Sequence, residues 1–145
     1  MPAKLVGINH VALEVGDLER ALELYGRLFE FELRGRAAGM AFIDMGDQFL
    51  ALSATGGSGE QDAARHFGLV VDDKAAVREA LEREGLEILP GRGLNFRDPW
   101  GNLFQVVDYR EIQFERAPGV KRALGIEGLE KSESARQEIA DKGIS

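Results

Sequence analysis

The first legible pattern in the chain runs over residues 8–15, Ile-Asn-His-Val-Ala-Leu-Glu-Val, where Val11, Leu13 and Val15 alternate with His10, Ala12 and Glu14. A period of two predicts a β-strand with one apolar face and one mixed face. Gly16-Asp17 then offers a helix N-cap. Leu18, Ala21, Leu22, Tyr25, Leu28 and Phe29 follow at the i, i+3, i+4 spacing of one apolar helical stripe. Three more strand-like stretches, 31–36, 40–44 and 49–53, are separated by Gly35, Gly39 and the Gly46-Asp47 turn signal. The first half of the chain is predicted as β-α-β-β-β.

The second half repeats it. A shift of 56 residues lays 66–73, His-Phe-Gly-Leu-Val-Val-Asp-Asp, over 10–17, and a helix at 74–84 over the first helix. After a two-residue slip, a shift of 54 pairs Gly39 with Gly93, Phe42 with Phe96, Asp44 with Asp98 and Ala51 with Gln105. Gly85 suits a helix C-cap, and Asp98-Pro99-Trp100-Gly101-Asn102 predicts a turn before a strand at 103–107. The glycine- and serine-rich stretch 55–62 reads as a flexible linker between two modules, about 5–54 and about 63–109. One helix per module covers only one side of a sheet, so each module is expected to need its twin, with a cavity on the concave side. Beyond residue 109 a tail, 110–145, carries a capping-box pattern at Ser134-Ala-Arg-Gln137, opening a helix that ends at Gly143, and a second helix over 118–124. Its apolar content is sparse, so it either frays or lies across the domain or a partner subunit.

Composition narrows the partners. With 145 residues, 44% hydrophobic and 30% charged, the chain is an ordinary globular sequence; folding at this length buries roughly 70% of the unfolded surface. A net charge of −7 repels phosphate backbones and anionic headgroups, so neither nucleic acid nor a membrane surface is an expected partner. No apolar run reaches the roughly 18 residues of a membrane span, and Met1-Pro2-Ala3-Lys4 leads into a strand without a signal-peptide core, so the cytoplasm is the expected location. The absence of cysteine removes disulfides, thiolate metal sites and cysteine nucleophiles. Any metal must be held by histidine, carboxylate or amide.

Residues 8–25, 66–71 (His-Phe-Gly-Leu-Val-Val) and 96–107 (Phe-Arg-Asp-Pro-Trp-Gly-Asn-Leu-Phe-Gln-Val-Val) together resemble the vicinal oxygen chelate superfamily. That group includes glyoxalase I, extradiol dioxygenases, fosfomycin-resistance enzymes and bleomycin-resistance proteins. The resemblance spans about residues 5–109 and implies an α+β fold: a single domain at 1–109, whose two βαβββ modules pair into one eight-stranded curved sheet around a cavity, followed by the helical tail. It also implies a metal site on the first and last strands of each module, at positions that correspond here to His10, Ala51, His66 and Gln105. His10 and His66 are the only histidines in the chain and occupy equivalent repeat positions. Read without the family, they are cavity-wall imidazoles hydrogen-bonded to neighbours.

The departures from the family shape the chemistry. Gln105 stands where the family commonly has glutamate, and Ala51 where glyoxalase I has another. Two imidazoles and an amide form a neutral donor set that holds a divalent ion weakly, and an amide cannot act as a general base. Glyoxalase I chemistry is not expected, and an extradiol dioxygenase would call for one more histidine. By alternation, Ala12, Glu14, Phe49, Gly68, Asn95, Arg97 and Leu103 share the face of these positions, with Trp100 in the turn at the cavity mouth; Glu14, Phe49, Asn95, Arg97, Leu103 and Trp100 are the expected substrate contacts. Leu13, Leu22, Phe42, Leu50, Leu69, Val71, Phe96, Phe104 and Val106 are the expected core, and 79–84 a solvated helix face. Glu14 on the cavity side favours neutral or cationic ligands, with Arg97 anchoring any acidic substituent. Two functions remain open: a divalent-metal-dependent enzyme of lyase, isomerase or dioxygenase type, and a metal-free protein that sequesters a cationic or neutral small molecule. Exposed sheet edges and the tail predict a homodimer in either case.

Overall fold

In a computed structural model, which describes residues 8–55 and 61–144, two aspartates 56 residues apart open the two long helices. Asp17 accepts a hydrogen bond from the Arg20 N–H (3.0 Å) and starts α1 (Leu18–Leu28); Asp73 accepts from the Ala76 N–H (3.1 Å) and starts α2 (Lys74–Glu84). Each cap satisfies one otherwise orphaned helix donor, worth about 1 kcal/mol. α2 stops at Gly85, whose φ of 67° is left-handed, so its N–H can turn back to the Leu81 and Glu82 carbonyls. The buried helix positions also repeat at 56: Ala21, Leu24 and Tyr25 in α1, then Val77, Ala80 and Leu81 in α2. The stripe therefore centres on 21, 24, 25 and 28. Leu24 is buried where the sequence pattern favoured Leu22, while Leu18, Leu22 and Phe29 flank the stripe, half-buried.

Each module forms its own four-stranded mixed sheet. The first contains β1 (His10–Glu14), β2 (Leu33–Ala37), β3 (Met40–Asp44) and β4 (Phe49–Ser53) in the order β1-β4-β3-β2; the second contains β5 (Phe67–Val71), β6 (Ile88–Leu89), β7 (Leu94–Arg97) and β8 (Leu103–Asp108) in the order β5-β8-β7-β6. First and last strands of each module pair in parallel, and the remaining pairs are antiparallel. The chain divides into two compact units, Met1–Ser58 and Gly59–Ser145. Most of the expected linker at 55–62, and the chain start at 1–7, lie outside the described residues.

In the first unit Leu13, Val15, Ala41, Ile43, Leu50 and Leu52 are buried along with the α1 stripe; in the second Leu94, Phe96, Phe104 and Val106 are buried with the α2 stripe, Phe96 stacking on Phe104 at 5.1 Å. Phe42 belongs to the opposite face. It pairs with Ala51 and is half-buried, while its neighbours Ala41 and Ile43 point into the core. Leu69 and Val71, also expected in the core, are only half-buried.

The tail forms α3 (Pro118–Leu124) and α4 (Glu133–Asp141) and docks on the second unit. Ser132, two residues ahead of the expected cap at Ser134, caps α4 through the Ala135 N–H, and its own N–H donates to the Arg110 carbonyl (2.7 Å). Ala135 and Ile139 are buried. Lys131 pins the segment: its ammonium donates to the carbonyls of Tyr109, Ile112 (2.7 Å) and Phe114 (2.6 Å) and lies 3.6 Å from the Tyr109 ring centroid. One cation thus satisfies three carbonyls, that of Tyr109 at the start of a short 3-10 turn (Tyr109–Glu111) and those of Ile112 and Phe114 just after it, which explains how a tail poor in apolar residues stays ordered.

Asp108 ties β8 to this region and to α2. Its buried carboxylate accepts from Arg110 Nε and Nη2 (2.8 Å each), from the Arg110 N–H (3.0 Å) and from the Lys74 N–H (3.3 Å). These bonds, with the Arg110 guanidinium foremost, hold its pKa down to about 2. A carboxylate with a lowered folded pKa stabilises the fold above its unfolded value near 4, and that contribution disappears as pH falls toward 2, about 2 kcal/mol in all. Urea denaturation across pH 5 to 2 should show this loss, and Asp108→Asn should flatten that part of the profile.

Candidate functional site

The sheet face opposite the helix carries the candidate chemistry in each module. On the first, β1 contributes His10, Ala12 and Glu14, and β4 contributes Phe49, Ala51 and Ser53, with His10 level with Phe49 and Ala12 level with Ala51. The imidazole of His10 stacks flat on Phe49, centroids 4.7 Å apart and planes 7° from parallel, and its Nδ1 lies 2.9 Å from Asn9 Oδ1. Phe42 meets Phe49 edge-on at 5.7 Å, and the Arg34 guanidinium lies 4.7 Å from the Phe49 centroid. Arg34, Phe42 and Phe49 line an open depression of about 280 Å³.

A β-bulge positions Arg34. The β2–β3 register runs Leu33 with Ile43, then Gly35 with Phe42, so Arg34 is the extra residue. Past the bulge, Arg36 pairs with Ala41 on the core face and reaches Glu19 of α1, which lowers the Glu19 pKa and raises that of Arg36. Strict alternation would have placed Arg34 and Arg36 on one face. The bulge sends one to the helix and leaves the other beside the aromatic pair.

On the second module Gly68, Gln105 and Asn95 sit level across β5, β8 and β7. The Gln105 amide lies over Gly93, where an added Cβ would stand 3.3 Å from Nε2; at Gly68 an added Cβ would meet nothing within 4 Å. The face therefore has open space beside Gln105. Asn95 Nδ2 donates to the Arg92 carbonyl (3.0 Å). His66, one residue before β5 and in phase with Gly68, is exposed, and its Nδ1 is 2.9 Å from the Ala64 carbonyl. By strand geometry its Cα is about 8 Å from that of Gln105. Arg97 is engaged within its module: Nη2 donates to the Asp62 carbonyl (3.0 Å) and the guanidinium is 3.7 Å from Glu87. Leu103 is buried, Glu14 is exposed, and Trp100 is half-buried in a turn built on Asp98, whose carboxylate accepts from the Trp100 and Asn102 N–H groups (3.0 and 2.9 Å).

Taken residue by residue, the imidazoles of His10 and His66 and the amide of Gln105 are donor types that a divalent ion accepts. A carbonyl oxygen beside His66 Nδ1 requires a proton there, and the Asn9 amide oxygen does the same for His10. Each imidazole then has its Nε2 lone pair available, the arrangement that orients metal-binding histidines. Ala51 offers no donor, and no group of three or more His, Cys, Asp or Glu side chains among the described residues is placed to hold a metal. His10, His66 and Gln105 offer two imidazoles and one amide between them, and no carboxylate.

The Glyoxalase/Bleomycin resistance protein/Dioxygenase superfamily model matches residues 7–106. The chain belongs to this superfamily. Metallothiol transferase FosB of Bacillus licheniformis is 26% identical over 116 residues, covering 71% of this chain and 75% of that protein. The fosfomycin resistance protein FosX of Listeria monocytogenes, complexed with Mn(II) and sulfate, superposes with a TM-score of 0.63 at 17% identity, over 72% of this chain and 91% of that one. FosX of Mesorhizobium loti gives 0.61 at 21% identity, over 71% and 91%.

Sequence reasoning about this superfamily member singled out both histidines and Gln105 but missed Arg34 and placed Phe42 in the core. Gly35 within the strand was the available signal, because a glycine inside a strand often marks a bulge. Gly93, at φ 81°, supports Gln105 through a conformation that side-chain-bearing residues adopt at a cost. Gly93→Ala should lower stability by about 1–2 kcal/mol, whereas Gly68→Ala should change it by less than about 0.5 kcal/mol. Urea denaturation of the two variants measures the difference.

Proposed function

We propose that this chain is a divalent-metal-dependent enzyme of the superfamily acting on a small molecule, with His10, His66 and Gln105 as the metal ligands. The reaction is of lyase, isomerase or dioxygenase type, or a group transfer like that named for its Bacillus relative, and differs from that of glyoxalase I. The observation that carries the reading is the shared state of the two histidines: each has Nδ1 facing an oxygen acceptor and Nε2 left to coordinate. The Mn(II) complex of the Listeria neighbour supports the same metal class. An ion held there would supply Lewis acidity, drawing in substrate oxygens and stabilising negative charge that develops on them. Asn95, beside Gln105, is suited to donate to the same oxygens, and Phe49 keeps the His10 ring in one plane. Without a carboxylate at position 105 or 51, the chain's own residues offer no base there for proton abstraction, which favours chemistry in which the substrate brings its own nucleophile or leaving group.

Calorimetric titration of metal-stripped protein with Mn(II), Co(II), Ni(II) and Zn(II) tests this reading. Wild type should bind weakly but saturably, His10→Ala and His66→Ala should lose binding, and Gln105→Glu should bind about tenfold tighter or more, because it returns a negative charge to the ion. Failure of both wild type and Gln105→Glu to bind any of these ions would favour the second reading, a metal-free binding protein, which the neutral Gln105 and the donor-free Ala51 support. In either reading the chain is proposed to act as a homodimer. Sedimentation equilibrium at micromolar concentration should then give twice the 15.9 kDa chain mass.

A further inference from the structure

We infer that Arg34, Phe42 and Phe49 form the substrate-recognition end of the His10 site, and that the group they select is a flat, unsaturated ring bearing an anionic substituent such as a carboxylate. The inference rests on the proposed function only in assigning this ligand to the same site; the binding surface stands on its own geometry. The Phe49 ring is the hub, with His10 stacked flat on it, Phe42 edge-on and the Arg34 guanidinium over it. Rings and a guanidinium grouped in this way favour a planar partner, which can lie flat on the guanidinium or meet a ring edge-on, over a puckered ring of similar volume.

The cation supplies the second selectivity. Among the described residues no carboxylate pairs with Arg34, although Arg36, two residues on, is paired with Glu19. The bulge accounts for the difference, as it separates the two arginines onto opposite faces. A guanidinium held against a ring but without an acid partner keeps its forked N–H donors for a carboxylate-like group, which it binds through two parallel charge-assisted hydrogen bonds. Of the carboxylates on this face, Glu14 is four residues from His10 along β1, about 13 Å away, while Asp44, level with Phe49, accepts from the Gly46 N–H (3.3 Å) and leaves Arg34 as the cation beside the rings. The depression, about 280 Å³, is near the lower end of the roughly 300–1,000 Å³ usual for small-molecule sites, which suits one or two rings.

The full chain, without added metal, can be titrated by ligand-observed NMR with benzoate, cyclohexanecarboxylate and benzyl alcohol. Benzoate should bind saturably and at least threefold more tightly than cyclohexanecarboxylate. Arg34→Met should weaken benzoate about tenfold while leaving benzyl alcohol unchanged, and Phe49→Leu should remove the preference for the aromatic acid. Arg34→Lys, which keeps the charge but loses the fork, should fall between wild type and Arg34→Met. Absence of saturable benzoate binding, equal binding by Arg34→Met, or no preference over cyclohexanecarboxylate would overturn the inference. Because no metal is present, loss of ion binding with benzoate selectivity intact would remove only the metal-enzyme reading. Retained ion binding without benzoate selectivity would remove only this inference.

Discussion

The parallel ladder between the first and last strand of each module is the constraint on which the rest depends. Once Val11, Leu13 and Val15 turn toward α1, the pleat places His10, Ala12 and Glu14 on the opposite face, and pairing with β4 brings Phe49, Ala51 and Ser53 level with them. In the second module the same ladder sets Gly68 beside Gln105. A slip of one residue in either ladder would turn every candidate ligand toward the helix. The aspartate caps at 17 and 73 matter for the same reason: they fix where each helix begins relative to the strand before it, and so which strand face the helix covers.

Most of this was legible in the sequence because it depends on periodicity. Both long helices, the strands at 40–44 and 49–53, the Gly85 cap and the equivalence of His10 with His66 follow from spacing alone. The failures came where residue identity was followed instead. Matching Phe42 to Phe96 and Asp44 to Asp98 keeps like residues together, yet in the structure Phe42 pairs with Ala51 while Asn95 pairs with Gln105. The equivalent of Phe42 is therefore Asn95. The hairpin built on Asp98 has one more residue between its paired strands than the hairpin after Asp44, and that single residue moves the whole strand by one step. Phe42 thus changes from a core residue to a residue of the open face.

Other missed features were long-range. The bulge at Arg34 is fixed by which residues of β3 it faces, and the order of the tail by an ammonium reaching back to three carbonyls between Tyr109 and Phe114. Neither leaves a hydrophobic period to read. Lys131 illustrates the difficulty well: in sequence it is one charge in a polar stretch, and its effect comes from donating to carbonyls of a segment about 20 residues earlier.

With the register corrected, the two modules can be compared position by position on the open face. The histidines are common to both, but Phe42 corresponds to Asn95, Ala51 to Gln105, and Phe49 to Leu103 in the repeat. One copy is aromatic where the other is amide-bearing. A duplicated scaffold holds the backbone of these positions constant, so such differences change surface chemistry without changing the fold. An aromatic surface with a lone guanidinium binds by shape and charge, whereas amides beside open space over Gly68 bind by directed hydrogen bonds or coordination. The exchange of Ala51 for Gln105 is the telling one: Ala51 pairs with Phe42, and only a methyl stands there beside the edge-to-face contact of Phe42 with Phe49 at 5.7 Å. In the proposed reading, the position that supplies a metal ligand in the second module is, in the first, a small residue beside the aromatic pair, so one difference between the repeats both withholds a donor and leaves room for the aromatic surface.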